Sequence, residues 1–191
     1  MVLFDLNDCI YTSCYCEENV WKLCEKLRDE GRLQQLQDVS AIFISNDAKK
    51  IPLWEQKCVD EGQVVVWDYH VILVHQEAGA ESQVYDLDTR LPFPCRFKYY
   101  LEMALRTEDH MKETYHRKFR VVSGAVFLDT FASDRKHMKG PDGLWLKPPP
   151  MYPCISTKAS SNNLADFITM VPSVGVGDVI NLNTLVHRFS S

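Results

Sequence analysis

Val64 to His75 is dominated by branched and aromatic side chains, a composition that commits the middle of the chain to β structure. Gln76 to Ser82, with Gly79 inside it, follows as a loop. Gln83-Val84-Tyr85-Asp86-Leu87-Asp88 then reads as the returning strand of a hairpin. Ala41 to Ser45 and Phe119 to Val122 read as further short strands, and Ile51 to Trp54 as a turn with an apolar anchor. Ahead of the strands lies a helix, from about Cys16 to Glu30. Val20, Leu23, Cys24 and Leu27 recur there at helical spacing, while Glu25, Lys26, Arg28 and Asp29 supply the wet face. Ser13 is expected as its N-cap and Gly31 as its terminator. Shorter helical stretches are expected at Phe97 to Arg106, Phe127 to Phe131, Leu164 to Met170 and Leu182 to Phe189. The prolines from Lys147 to Pro153 predict an extended surface loop, and Val171 to Val179 a turn region. A helix followed by an antiparallel sheet predicts an α+β fold, with residues 1–191 forming one domain.

With 46% hydrophobic residues in 191, the chain can bury a core without covalent staples. Its formal net charge of -5, with no basic arm, argues against a protein that grips nucleic-acid phosphates. The longest apolar stretches, such as Val71 to Val74, are too short to cross a bilayer. Met1 to Asp8 lacks the cationic lead and apolar stretch of an export signal, so the cytoplasm or nucleus is the expected compartment. Thiols stay reduced there, and seven scattered cysteines do not suggest a disulfide framework. Cys14 and Cys16 are separated by one residue and accompanied by no CxxC or HxxxH pair, a spacing poor for zinc. No metal is expected.

Cys16 opens the predicted helix, where unpaired N–H groups and positive potential favour a thiolate and can receive an oxyanion. His70 lies in the long strand, and Asp86 in the strand expected to return beside it. A hairpin would make the two neighbours, so a carboxylate could orient an imidazole that serves the thiol. Ordinary roles compete with each assignment: a small buried hydrophobe for the cysteine, a satisfied strand residue for the histidine, a cap for the aspartate. Cys14 is the rival nucleophile and Asp88 the rival acid, on the same strand face as Asp86. His75 falls on the opposite face from His70 and is expected to be structural, while His137 and His187 stay open.

Tyr11-Thr12-Ser13-Cys14-Tyr15-Cys16-Glu17-Glu18-Asn19-Val20-Trp21-Lys22-Leu23-Cys24 resembles the opening of protein N-terminal glutamine amidohydrolases. Trp67-Asp68-Tyr69-His70-Val71 and Tyr85-Asp86-Leu87-Asp88-Thr89-Arg90-Leu91-Pro92-Phe93-Pro94-Cys95 resemble further blocks of that family. So do Arg117-Lys118-Phe119-Arg120, Phe131-Ala132-Ser133-Asp134-Arg135, His137-Met138-Lys139 and Pro148-Pro149-Pro150, so the likeness runs from about Tyr11 to Phe189. The resemblance implies a papain/transglutaminase-like core with the nucleophile helix packed on an antiparallel sheet. It also implies deamidation of N-terminal glutamine to glutamate on proteins or peptides, feeding the N-terminal degradation pathway. It selects Cys16 as nucleophile, His70 as base and Asp86 as the orienting carboxylate, with no cofactor.

Such a reaction must read both the glutamine amide and a free α-amino group, which calls for acids or carbonyls in the pocket. Asp68, on the strand face of His70, and Glu18 are the candidate acids, with Glu17 weighed as a plain helix-start residue. Papain-like enzymes place a glutamine upstream of the cysteine for the oxyanion, and none precedes Cys16 here. The Cys16 N–H with a hydroxyl from Ser13 or Tyr11 is the expected substitute. A monomer is expected, since nothing in the chemistry calls for a shared site.

Overall fold

The computed structural model describes residues 2–190. Its centre is a six-stranded, fully antiparallel sheet of order β6-β5-β4-β1-β7-β8. The strands are β1 (Val39–Ser45), β4 (His70–His75), β5 (Gln83–Tyr85), β6 (Cys95–Arg96), β7 (Lys118–Ser123) and β8 (Asp178–Asn181). A separate two-stranded ribbon pairs β2 (Ile51–Trp54) with β3 (Val64–Trp67). The helices are α1 (Cys16–Asp29), α2 (Leu33–Gln37), α3 (Phe97–Tyr100), α4 (Gly124–Thr130), α5 (Leu164–Ile168) and α6 (Leu182–Phe189), and a π-helical turn, Leu101–Leu105, continues α3. This is the α+β arrangement expected, with α1 packed across β4.

The sheet is buried on both faces, which explains why its central strands read as continuous apolar runs. Ala41, Phe43, Val71 and Leu73 join α1, α4 and α5 in one core, around Leu23, Leu27, Phe127 and Phe167. Ile42, Ile44, Ile72 and Val74 join α3 and α6 in the other, around Phe97, Tyr100, Leu185 and Phe189. The period-two alternation of each strand thus feeds two cores at once.

Three expectations needed correction. Val64 to His75 is not one strand but two, belonging to different sheets. The break has a local cause: Asp68 Oδ1 accepts the Tyr69 N–H at 2.9 Å, and Ser45 Oγ donates to the Asp68 carbonyl at 2.8 Å. Side chains thereby take the backbone groups a ladder would have used. Ile51–Trp54, expected as a turn, is the partner strand of β3. The N-cap of α1 is Tyr15, without a side-chain cap bond, rather than Ser13. Cys14 adopts a left-handed φ of 68°. Buried Asn19 instead ties down the helix entry, accepting the Thr12 N–H at 2.8 Å and donating to the Thr12 carbonyl at 2.9 Å. The helix end is as expected: Gly31 takes φ +70° and the Arg32 N–H reaches back to the Leu27 carbonyl at 2.8 Å.

Three buried arginines secure the irregular segments. Arg117 donates to the carbonyls of Pro52, Leu105 and Arg106, satisfying the end of the π-helical turn. Arg120 gathers the carbonyls of Thr169, Val171 and Val176 at 2.6, 3.0 and 2.9 Å. Arg135 holds those of Pro150, Tyr152 and Pro153, so the proline stretch is pinned rather than loose. Each guanidinium supplies several donors to backbone carbonyls in loops and at the ends of elements.

Gly177 marks a close backbone approach beside β7. Its φ is +82°, and a Cβ there would stand 2.4 Å from the Val121 carbonyl oxygen. Gly177→Ala is expected to destabilise the fold by about 2 kcal/mol or more, from left-handed strain plus the backbone clash. Thermal melts should show a drop of at least about 4 °C.

Candidate active site

Cys16 is the first residue of α1, so its own N–H and that of Glu17 have no carbonyl partner within the helix. The helix runs over β4, and Cys16 at its start lines the same cavity as His70 at the start of that strand. His70 begins β4 and is almost fully buried. The β4–β5 register pairs Leu73 with Tyr85, so the chain just beyond β5 carries Asp86 back to His70. His70 Nε2 lies 3.0 Å from Asp86 Oδ1. The hairpin logic read from sequence therefore places imidazole and carboxylate in contact.

Asp86 is buried and ringed by donors from separate segments. The Asp88 N–H reaches Oδ1 at 2.9 Å, and the Tyr100 hydroxyl and Gln56 Nε2 reach Oδ2 at 2.8 and 3.4 Å. Gln56 is delivered by a bridge between Gln56 and Thr89, with the Lys57 N–H bonded to the Asp88 carbonyl. Trp67 stacks on the imidazole, with ring centroids 5.8 Å apart and planes 16° from parallel.

Burial by itself would raise the Asp86 pKa, but the His70 charge and the surrounding donors hold it below the usual carboxylate value. Burial likewise pulls the His70 pKa down, and the charge and hydrogen bond of Asp86 more than reverse it. An ionised carboxylate can only accept, so Nε2 carries the proton and Nδ1 is the nitrogen left free to act as base. The Cys16 thiol is pushed well up by burial, and further by the charges of Glu17 and Asp88. These effects act against the helix start, which favours the thiolate. Desolvation and the two carboxylates thus favour the thiol over the thiolate.

Cys16 and His70 open on a cavity of about 920 Å³. Ser13 and Asp68 line it, as do Cys14, Tyr11, Asp88 and His137. Asp68 is exposed and caps its own neighbour's N–H. Glu18 is elsewhere: its carboxylate is buried in a two-point pair with Arg135, at 2.8 and 2.7 Å. The geometry therefore assigns Glu18 to holding the proline loop against α1 rather than to the cavity. Buried His75 pairs across to Val39, and His187 is exposed on α6. His137 reaches Glu17, with Nε2 3.5 Å from Oε1. Glu17 Oε2 accepts from the Tyr69 hydroxyl at 3.0 Å and lies 3.6 Å from Cys16 Sγ.

Sequence reasoning missed Tyr100, Gln56 and Trp67 as neighbours of the histidine–aspartate pair. Tyr100 and Gln56 reach Asp86 through contacts no local pattern announces, although Trp67 belonged to a block already singled out. Among the described residues, one grouping brings metal-type ligand atoms together: His70, Asp86 and Asp88, all within 4.8 Å. The Asp86 oxygens already face protein donors, so the grouping suits a proton-holding pair better than a cation. No helix among the described residues is long and apolar enough to cross a membrane.

A sequence model of the family described as N-terminal glutamine amidase matches residues 11–189. The chain is 52% identical to the protein N-terminal glutamine amidohydrolase of Danio rerio, covering 96% of this chain and 90% of that one. It is 49% identical to the Homo sapiens protein of the same name, covering 96% and 89%. For the Drosophila melanogaster protein of that name the identity is 44%, covering 96% and 90%.

The pairing of Glu18 with Arg135 yields a test of its role. Glu18→Gln leaves a buried guanidinium charge without its counter-charge, which is expected to cost about 3 kcal/mol. A thermal melt should show the loss, while KM measured on the folded variant stays close to that of the parent.

Proposed function

Because the chain belongs to the N-terminal glutamine amidase family, we propose that it hydrolyses the side-chain amide of an N-terminal glutamine on proteins or peptides, leaving glutamate and releasing ammonia. The observation that carries this reading is the 3.0 Å contact of His70 Nε2 with buried Asp86, beside Cys16 on the same cavity. In the proposed mechanism Cys16 is the nucleophile, His70 the base and Asp86 the group that orients it.

His70 Nδ1 takes the Cys16 proton as the sulfur attacks the amide carbon, and Asp86 stabilises the imidazolium that results. The tetrahedral oxyanion is received by the Cys16 N–H at the start of α1, with the Ser13 hydroxyl as second donor. Tyr11 is less suited, since its hydroxyl already donates to Asp88 at 2.6 Å. The imidazolium returns its proton to the departing ammonia, leaving a thioester. Water then attacks the thioester with His70 again as base, restoring the thiol and releasing glutamate. Asparagine, one methylene shorter, would hold its amide short of the sulfur, and small misplacements cost rate steeply.

The reading carries further expectations. The core belongs with the papain/transglutaminase-like folds, as the nucleophile helix on an antiparallel sheet suggests. The chain acts as a monomer in cytoplasm and nucleus without a cofactor. Its product, a protein with N-terminal glutamate, enters the N-terminal degradation pathway.

Mass spectrometry of peptides beginning with glutamine or asparagine, or carrying glutamine internally, tests the reaction. Only the glutamine-first peptide should gain the mass change of amide to acid with its chain intact. Cys16→Ala should lower the rate on the order of 10⁴-fold or more. Cleaved peptides would point to a protease, and unchanged ones to a binding module.

A pH profile tests the histidine. With its pKa raised above 6.5, His70 is protonated in acid and unable to accept the thiol proton. The acid limb of kcat/KM should therefore have its midpoint above 6.5. Asp86→Asn removes the charge that lifts this value and leaves the lowering effect of burial. The limb should then move to lower pH, while the rate falls on the order of 10³- to 10⁴-fold.

A further inference from the structure

Two carboxylates flank the reacting groups without being used by the mechanism. Asp88 lines the cavity, and one of its oxygens lies within 4.8 Å of a His70 ring nitrogen. Its Oδ1 accepts the Tyr11 hydroxyl at 2.6 Å, and among the described residues no cation pairs with it. Glu17 is fully buried beside Cys16, and its Oε1 makes no hydrogen bond. His137 Nε2 lies 3.5 Å from that oxygen. Other acids near the site are engaged: Asp47 pairs with Lys118 at 2.9 Å, Asp68 caps Tyr69, and Glu18 holds Arg135.

Lys57 and Lys49 also line the cavity, and the Lys57 charge is felt at Asp88. Lys57 Nζ is spent on the Leu87 carbonyl at 3.0 Å, however, which leaves the Asp88 carboxylate to pair with a cation that arrives with the substrate. In glutamine the α-nitrogen lies at most about 5 Å from the side-chain amide carbon, across four single bonds of about 1.5 Å. In an attacking geometry that carbon stands about 3.5 Å from the sulfur. A receptor for the α-ammonium must therefore lie close to Cys16 and His70, where Asp88 and Glu17 are. Resting on the amidohydrolase reading, we propose that Asp88 is the specificity-determining receptor for the substrate's α-ammonium, with Glu17 completing the negative field that holds it. Burial and these same two charges favour the Cys16 thiol over its thiolate in the empty site. A seated ammonium offsets their field, so the thiolate becomes accessible when a free N-terminus is present.

The test uses two peptides of identical sequence, one beginning with glutamine and the other with its des-amino analogue, a 4-carbamoylbutanoyl cap. The ratio of their kcat/KM values measures how strongly the amine is read. The parent enzyme is expected to favour the glutamine peptide on the order of 10²-fold, the range of a charge-assisted contact. Asp88→Asn should reduce that ratio at least about tenfold. Equal losses on both peptides, leaving the ratio intact, would overturn the proposal. Should Asp88→Asn not fold, Tyr11→Phe removes the donor that positions the carboxylate from an exposed residue, and the same fall in ratio is expected. A parent enzyme that converts neither peptide would instead remove the amidohydrolase reading on which the proposal rests.

Discussion

The carboxylate of Asp86 is where this structure concentrates its polar contacts. Burying it unpaired would cost several kcal/mol, and the fold answers with four donors, from His70, Asp88, Tyr100 and Gln56. Those donors come from β4, the turn after β5, α3 and the segment after β2, so satisfying one group fixes the relative positions of four parts of the chain. The same contacts decide the chemistry. They keep the aspartate ionised, which fixes the proton on His70 Nε2 and frees Nδ1 for the thiol.

Around this point the fold divides its labour. The sheet, buried on both faces, supplies the rigid floor that carries His70 and receives the start of α1. The cavity wall is mostly irregular chain, which cannot satisfy its own backbone. Arg120 does this for the chain around Thr169, which lines the site, and Arg135 for the proline loop packed against α1. That accounts for the arginine-bearing blocks in the sequence without giving those residues a part in the reaction.

What was legible in the sequence was what depends on local pattern. The extent of α1 followed from the spacing of Val20, Leu23 and Leu27 and from Gly31, and the His70–Asp86 contact from one hairpin. The selection of Cys16 over Cys14 needed the family likeness as well. What escaped was decided by competition for backbone groups or by long-range contact. Asp68 capping Tyr69 split a run that read as a single strand, and Asn19 took the anchoring role expected of Ser13. Glu18 had the right charge for a substrate contact, but Arg135, distant in sequence, already occupied it. Tyr100 and Gln56 gave no local sign, because their function exists only once β2, α3 and the β4–β5 hairpin have met.

The burial and carboxylates that favour the thiol form of Cys16 also bear on how the protein survives between turnovers. Peroxides and electrophiles react with thiolates far faster than with thiols. A nucleophile held as a thiol by its own surroundings is a poor target for oxidation while the site is empty. In a compartment with fluctuating redox conditions, its chemical lifetime would then be set by how long the site stays occupied, rather than by how long the protein has existed.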